Sequence, residues 1–117
     1  MLSSYYSNAT YYSYYVNNKD RTTNLKIASK KINGTIIQPG ETFDFNKVVG
    51  SRTAAKGYKK AHVFTGKNST TMGLAGGICQ VASTVFNTAL IILFVVWILI
   101  SLFYTIQYFK WKKANNM

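Results

Sequence analysis

The chain has 117 residues, with 14 Lys+Arg against 3 Asp+Glu, one histidine and a formal net charge of +11. The length suits one small domain. A single cysteine excludes an internal disulfide and any Cys-rich zinc site. Three acids (Asp20, Glu41, Asp44) are too few for a carboxylate metal cage or a paired-carboxylate active site, so no metal and no cofactor is expected.

Tyrosines at 5, 6, 11, 12, 14 and 15 stand among Ser, Asn and Thr in the first stretch. The pattern is open to an edge strand, a sugar-stacking surface or an irregular arm. Arg21-Thr22-Thr23-Asn24 supplies N-cap candidates for a helix through Ile32, with Leu25, Ala28 and Ile32 on one face. Asn33-Gly34 closes it as a left-handed C-cap. Thr35-Ile36-Ile37 reads as a strand, Gln38-Pro39-Gly40-Glu41 as a turn, and Thr42-Phe43-Asp44-Phe45 as a half-buried strand. Gly50-Ser51-Arg52-Thr53 is loop, and Tyr58 to Thr65 is a further strand. By composition, Met72 to Gly77 is a flexible loop. From Ile78 or Cys79 a helix begins, able to run without a break into the apolar segment that follows.

That segment decides the architecture. From Asn68 to Phe109 there is no Asp, Glu, Lys, Arg or His. Thr88–Ile106, 19 residues long, reaches roughly 28 Å as a helix, close to the hydrocarbon thickness of a bilayer. Tyr104, Tyr108 and Trp111 lie at its far end, and Lys110, Lys112 and Lys113 follow, an aromatic belt and a basic stop. The expected class is therefore α+β: a small mixed domain with short strands and a helix, then one C-terminal transmembrane helix. The basic flank favours a cytoplasmic C-terminus with residues 1–87 outside, a single-pass membrane protein. The first residues lack the basic and apolar regions of a signal peptide, which points the other way. The two indications conflict.

Residues 1–87 carry 11 basic and 3 acidic residues, a net charge of +8. This is either a lysine-rich solvated surface or an attraction to a polyanion such as wall polymer or anionic lipid. No nucleic-acid motif accompanies the charge, so nucleic acid is not an expected partner.

Taken in order, the punctuation residues resemble the VanW-like family. The matching string is Arg21…Asn24-Leu25…Ile32-Asn33-Gly34-Thr35…Pro39-Gly40-Glu41-Thr42-Phe43…Asn46…Val49-Gly50…Arg52-Thr53…Gly57-Tyr58…Ala61…Gly66, ending in Gly76-Gly77-Ile78-Cys79-Gln80-Val81…Ser83-Thr84…Asn87…Ala89-Leu90. The resemblance implies a bacterial cell-envelope protein, usually exported, whose biochemical activity has no settled assignment. It also shows departures. Ala75 stands first in what is usually a triple glycine, and Ala82 replaces a usual serine. The hydrophobic run takes the place of a soluble segment bearing an acidic-Arg-His cluster. The expected organisation is a partial VanW-like domain over 1–87, a transmembrane helix over 88–109 and a basic tail over 110–117, the join arising by truncation, rearrangement or frameshift.

Gly76-Gly77-Ile78-Cys79-Gln80 delivers a thiol to a helix start, where unpaired N–H groups and the helix dipole favour thiolate. Gln80 is a candidate oxyanion donor, and His62 the one candidate base for Cys79. The competing reading has Cys79 packing as a small apolar residue at a tight helix start. Arg21, Asn24, Arg52 and Tyr58 are candidate ligand-binding residues: the arginines by clamping a carboxylate or phosphate, Tyr58 by stacking on a sugar. Against that, Arg21 and Arg52 can pair with Asp44 or Glu41 to pin loops. The leading expectation is an envelope-facing domain that binds peptidoglycan or anionic wall polymer. The alternative is a cysteine-dependent acyl-transfer enzyme acting on peptidoglycan stem peptides. A third reading is a product of a broken reading frame with no function. Oligomeric state is left open.

Overall fold

The computed structural model describes residues 9–66 and 69–116, apart from the Phe64 side chain. Its element order is α1 (Lys19–Ile32), α2 (Phe45–Val49), a 3-10 turn (Ala54–Lys56), β1 (Lys60–Gly66), β2 (Ser69–Leu74) and α3 (Ile78–Asn115). The expected α+β class with a long apolar C-terminal helix holds. The described residues divide into two compact units, one of Tyr12–Val85 and one containing the chain from Phe86 onward.

In the first unit, α1 starts earlier than the sequence suggests. Asn18, not a residue of 21–24, is the N-cap, and its Oδ1 accepts from the Asp20 and Arg21 amides at 3.1 Å each. The helix ends at Ile32 as expected, with Gly34 at φ +79° just beyond it. Gln38–Glu41 forms the expected turn, closed by Glu41 N–H donating to the Gln38 carbonyl at 3.0 Å.

Three expectations are corrected. Thr35-Ile36-Ile37 is not a strand: Ile36 and Ile37 are exposed, and no neighbouring strand among the described residues supplies a ladder. Thr42–Phe45 is not a strand either. The Asp44 carboxylate accepts from the Asn46 and Lys47 amides at 2.9 and 3.2 Å and nucleates α2 instead. Met72–Leu74, read as loop, belongs to β2, so only Ala75–Gly77 forms the turn.

β1 and β2 make a two-stranded antiparallel hairpin with His62 opposite Met72 and Lys60 opposite Leu74. The core gathers Leu25 and Ala28 of α1, Val49 of α2, Tyr58, Ala75, and Ile78 and Val81 of α3. Asn24 lies at its centre, fully buried. Its Nδ2 donates to the Lys59 and Gly76 carbonyls at 2.9 and 3.0 Å, and its Oδ1 accepts the Lys59 amide at 2.7 Å. One side chain thus ties α1 to the segments that enter and leave the hairpin at its open end.

The second unit is the apolar length of α3. It is long and apolar enough to cross a membrane. Phe94, Trp97, Leu99 and Phe103 point outward and are exposed, as a lipid-facing helix requires. Thr105 Oγ1 donates to the Ser101 carbonyl at 2.8 Å, so its hydroxyl is satisfied within the helix. Tyr108 stacks on Trp111 at 6.3 Å between ring centres, beside Lys110 and Lys112.

Candidate functional site

Two glycines set the geometry at the head of α3. A Cβ on Gly76 would lie 2.3 Å from the Ala61 carbonyl oxygen, so only glycine lets this turn press against β1. At Gly77, with φ +97°, a Cβ would lie 2.9 Å from Arg21 Cγ. The turn therefore fits between β1 and α1 and starts α3 at Ile78. Cys79 is left exposed at the second position of the helix.

Here the chain forms a cleft of about 880 Å³. Cys79, Gln80 and Ser83 of α3 line it together with Lys60 and His62 of β1, Arg21 of α1, and the segment Tyr14–Val16. All three residues singled out for catalysis, Cys79, His62 and Gln80, share this one cleft. His62 is exposed, as the burial of Ala61 on the opposite face of β1 requires. Among the described residues neither the Cys79 thiol nor the His62 ring has a hydrogen-bond partner.

Gln80 differs from its expected role. Its Oε1 accepts from Arg21 Nη2 at 2.8 Å, and its Nε2 donates to the Tyr14 carbonyl at 2.8 Å and towards Ser13 Oγ at 3.4 Å. Ser13 Oγ in turn shares a hydrogen bond of 2.7 Å with Thr84 Oγ1. The Gln80 amide holds the tyrosine segment against α3 as a wall of the cleft.

The four candidate ligand-binding residues separate. Arg21 lines the cleft, whereas Asn24 is spent inside the core on backbone groups. Tyr58 is 2% exposed, its ring packed among core residues, which leaves no face for a sugar. Burial pushes its phenol pKa up, against a smaller lowering by the Arg52 charge. Arg52 is half-buried outside the cleft, donating through Nη2 to Asn46 Oδ1, with its guanidinium 6.0 Å from the Phe45 ring centre. Among the described residues neither arginine pairs with an acid. Glu41 accepts the Gln38 amide and Asp44 caps α2, so both carboxylates are engaged locally.

Of the tyrosines noted in the first stretch, Tyr14 and Tyr15 line the cleft, and Lys60 and Ser83 line it without having been singled out. Both of the latter carried a signal. Lys60 shares a strand face with His62 at i, i+2, and Ser83 follows Cys79 by one helical turn. Nothing in the local sequence fixes where the tyrosine segment docks.

Comparison with known proteins places this geometry in a family. The family model described as "VanW like protein" matches residues 20–96. The uncharacterized protein YoaR of Bacillus subtilis (strain 168) is 49% identical over 70 residues, covering 60% of this chain and 23% of that protein. The vancomycin B-type resistance protein VanW of Enterococcus faecalis (strain ATCC 700802 / V583) is 37% identical over 68 residues, covering 58% of this chain and 24% of that protein. The matched part thus spans under a quarter of either relative. No solved structure matches. With the family model covering α1, the hairpin, the double-glycine turn and the head of α3, the chain belongs to the VanW-like protein family.

Proposed function

We propose that this chain is a membrane-anchored, envelope-facing VanW-like protein whose cleft binds peptidoglycan or an anionic wall polymer. The cleft itself carries the reading. It combines two cations, Arg21 and Lys60, against one acid, Asp20, with the exposed ring of Tyr14 and the half-exposed Tyr15 beside them. Sugar rings stack on such aromatic faces, and acidic groups on a polymer are drawn to the cations. The net charge of +8 on residues 1–87 adds a longer-range attraction. Lys110, Lys112 and Lys113 beyond the apolar helix support a cytoplasmic C-terminus and an outward cleft.

Retention of the detergent-solubilised protein on purified peptidoglycan, at low and high salt, tests the binding. Salt-sensitive retention that weakens in Lys60→Ala is expected, and its absence overturns the reading. Labelling of Cys79 in intact cells by a membrane-impermeant maleimide tests the orientation: the thiol is modified only if the cleft faces outward.

A second reading is cysteine-dependent acyl transfer on peptidoglycan stem peptides, favoured by Cys79 and His62 sharing the cleft. His62 takes the Cys79 proton as Sγ attacks a peptide carbonyl, the C–N bond breaks, the amine leaves with that proton returned by His62, and a thioester remains for an acceptor amine or water. Alkylation of Cys79 at pH 7 faster than free cysteine, and slowed by His62→Ala, supports this reading. A rate equal to free cysteine removes it.

A further inference from the structure

One side of the cleft is strand backbone. Lys60, Ala61, His62 and Val63 are consecutive residues of β1, and all four line it. Side chains alternate between the two faces of a strand, so an unbroken run of this kind is met along the strand's edge. β2 occupies the other edge. The Ala75 amide donates to the Lys59 carbonyl at 2.9 Å, which fixes the phase of the ladder. Opposed residues of an antiparallel pair alternate between facing the partner strand and facing away from it. Lys59, Ala61 and Val63 therefore turn main-chain groups to β2, whereas Lys60 and His62 turn theirs outward. Among the described residues no further strand pairs with β1 and no hydrogen bond meets these outward amides and carbonyls. Both residues are exposed. An open edge of this kind is a template on which an extended chain docks.

We propose that the cleft takes an acidic peptide in extended conformation, which adds to β1 as a third strand through the main-chain groups of Lys60 and His62. Two outward N–H and two outward C=O groups are met by a stretch of three peptide residues, roughly 10 Å of chain. The cleft volume of about 880 Å³ is that of a small-ligand site. The acidic class follows from charge: Lys60 and Arg21 line the cleft against the single carboxylate of Asp20. A second copy of the chain fits this edge less well, since residues 1–87 of each copy carry a net charge of +8 and repel. Main-chain pairing recognises peptide and not sugar. The inference therefore deepens the proposed wall binding by naming the peptide portion as the ligand, and it rests on that reading for the choice of the cleft as the site.

The test titrates the full ¹⁵N-labelled chain in detergent micelles with a blocked peptide of alternating valine and glutamate. Saturable shifts of the Lys60 and His62 amides are expected. The same peptide N-methylated at every residue keeps its charge and side chains but offers no main-chain donor, and its Kd is expected to be at least tenfold higher. A counterpart with lysine in place of glutamate is expected to be weakened as much. His62→Pro removes one outward N–H while sparing the ladder with β2, an edge position that admits proline. It is expected to weaken binding of the unmodified peptide at least tenfold while the ladder amides stay protected from exchange. If this variant unfolds, the N-methylated peptide on the unaltered chain decides alone. No saturable shift, or equal binding of the N-methylated or the lysine peptide, overturns the proposal. So does a shift of the two amides on dilution without peptide, which marks a second copy on the edge. Retention on peptidoglycan separates the two readings. A chain retained there that does not bind the acidic peptide removes strand addition alone, and a chain that binds the peptide without being retained removes wall binding alone.

Discussion

Arg21 and Gln80 are 59 positions apart in sequence and joined by a hydrogen bond of 2.8 Å, linking the first turn of α1 to the first turn of α3. The same Gln80 amide donates to the Tyr14 carbonyl. One side chain thus fixes two walls of the cleft. Gln80→Ala removes both contacts and is expected to cost about 1–3 kcal/mol. Gln80→Glu separates them, keeping an acceptor for Arg21 but setting a carboxylate against the Tyr14 carbonyl. Hydrogen exchange is then expected to rise at residues 13–16 in both variants. Retention on peptidoglycan is expected to fall with it if the tyrosine wall contributes to binding.

Asn24 is the second test of the framework. It is fully buried and makes three hydrogen bonds, all to backbone. Asn24→Ala leaves the Lys59 amide and two carbonyls without their partner and is expected to cost about 3 kcal/mol. Asn24→Asp is expected to cost more at neutral pH, because a carboxylate replaces two donors and faces the Lys59 and Gly76 carbonyls. Chemical denaturation of the two variants, monitored by near-UV circular dichroism, ranks them.

Much of this framework was legible where local chemistry and packing agree. The end of α1, the Pro39-Gly40 turn, the β1 strand and the start of α3 each carry a residue type that admits few alternatives. The place of Cys79 at the head of α3 was legible from the double glycine before it, and the outward face of His62 from strand alternation beside Ala61. Thr42–Phe45 failed because alternation cannot see that the Asp44 side chain binds the amides two and three residues ahead. Thr35–Ile37 failed because strand preference has no effect without a partner to pair with. Gln80 was misread since its partners, Arg21 and Tyr14, are remote in sequence, and the same remoteness hid the core position of Asn24.

The double-glycine turn predicts an unequal pair of effects. Gly76→Ala places its methyl 2.3 Å from the Ala61 carbonyl oxygen, a backbone atom that cannot move without breaking the register of β1. It is expected to cost about 3 kcal/mol, the upper end of overpacking penalties. Gly77→Ala meets Arg21 Cγ at 2.9 Å, a side chain able to shift, and is strained by its φ of +97°. It is expected to cost about 1–2 kcal/mol and to displace Arg21 from Gln80. Denaturation midpoints give the order, and retention on peptidoglycan shows whether the cleft changes with it.

Tyr58 supplies a pH dependence whose sign is fixed by burial. Its phenol is raised above the ordinary value of 10.0, mainly because burial disfavours the charged form, while Arg52 opposes the shift. Above pH 10 the unfolded chain releases this proton first, so it binds fewer protons than the folded one and stability falls as pH rises towards the folded value. Below about pH 10 the contribution is fully present. Unfolding midpoints measured between pH 9 and 11.5 are therefore expected to drop more steeply for the parent chain than for Tyr58→Phe, with the lysines common to both cancelling in the difference. Absorbance at 295 nm follows phenolate formation directly. The nine tyrosines should include a late-titrating component that is missing in Tyr58→Phe, and a variant that loses an early component instead would place the buried phenol elsewhere.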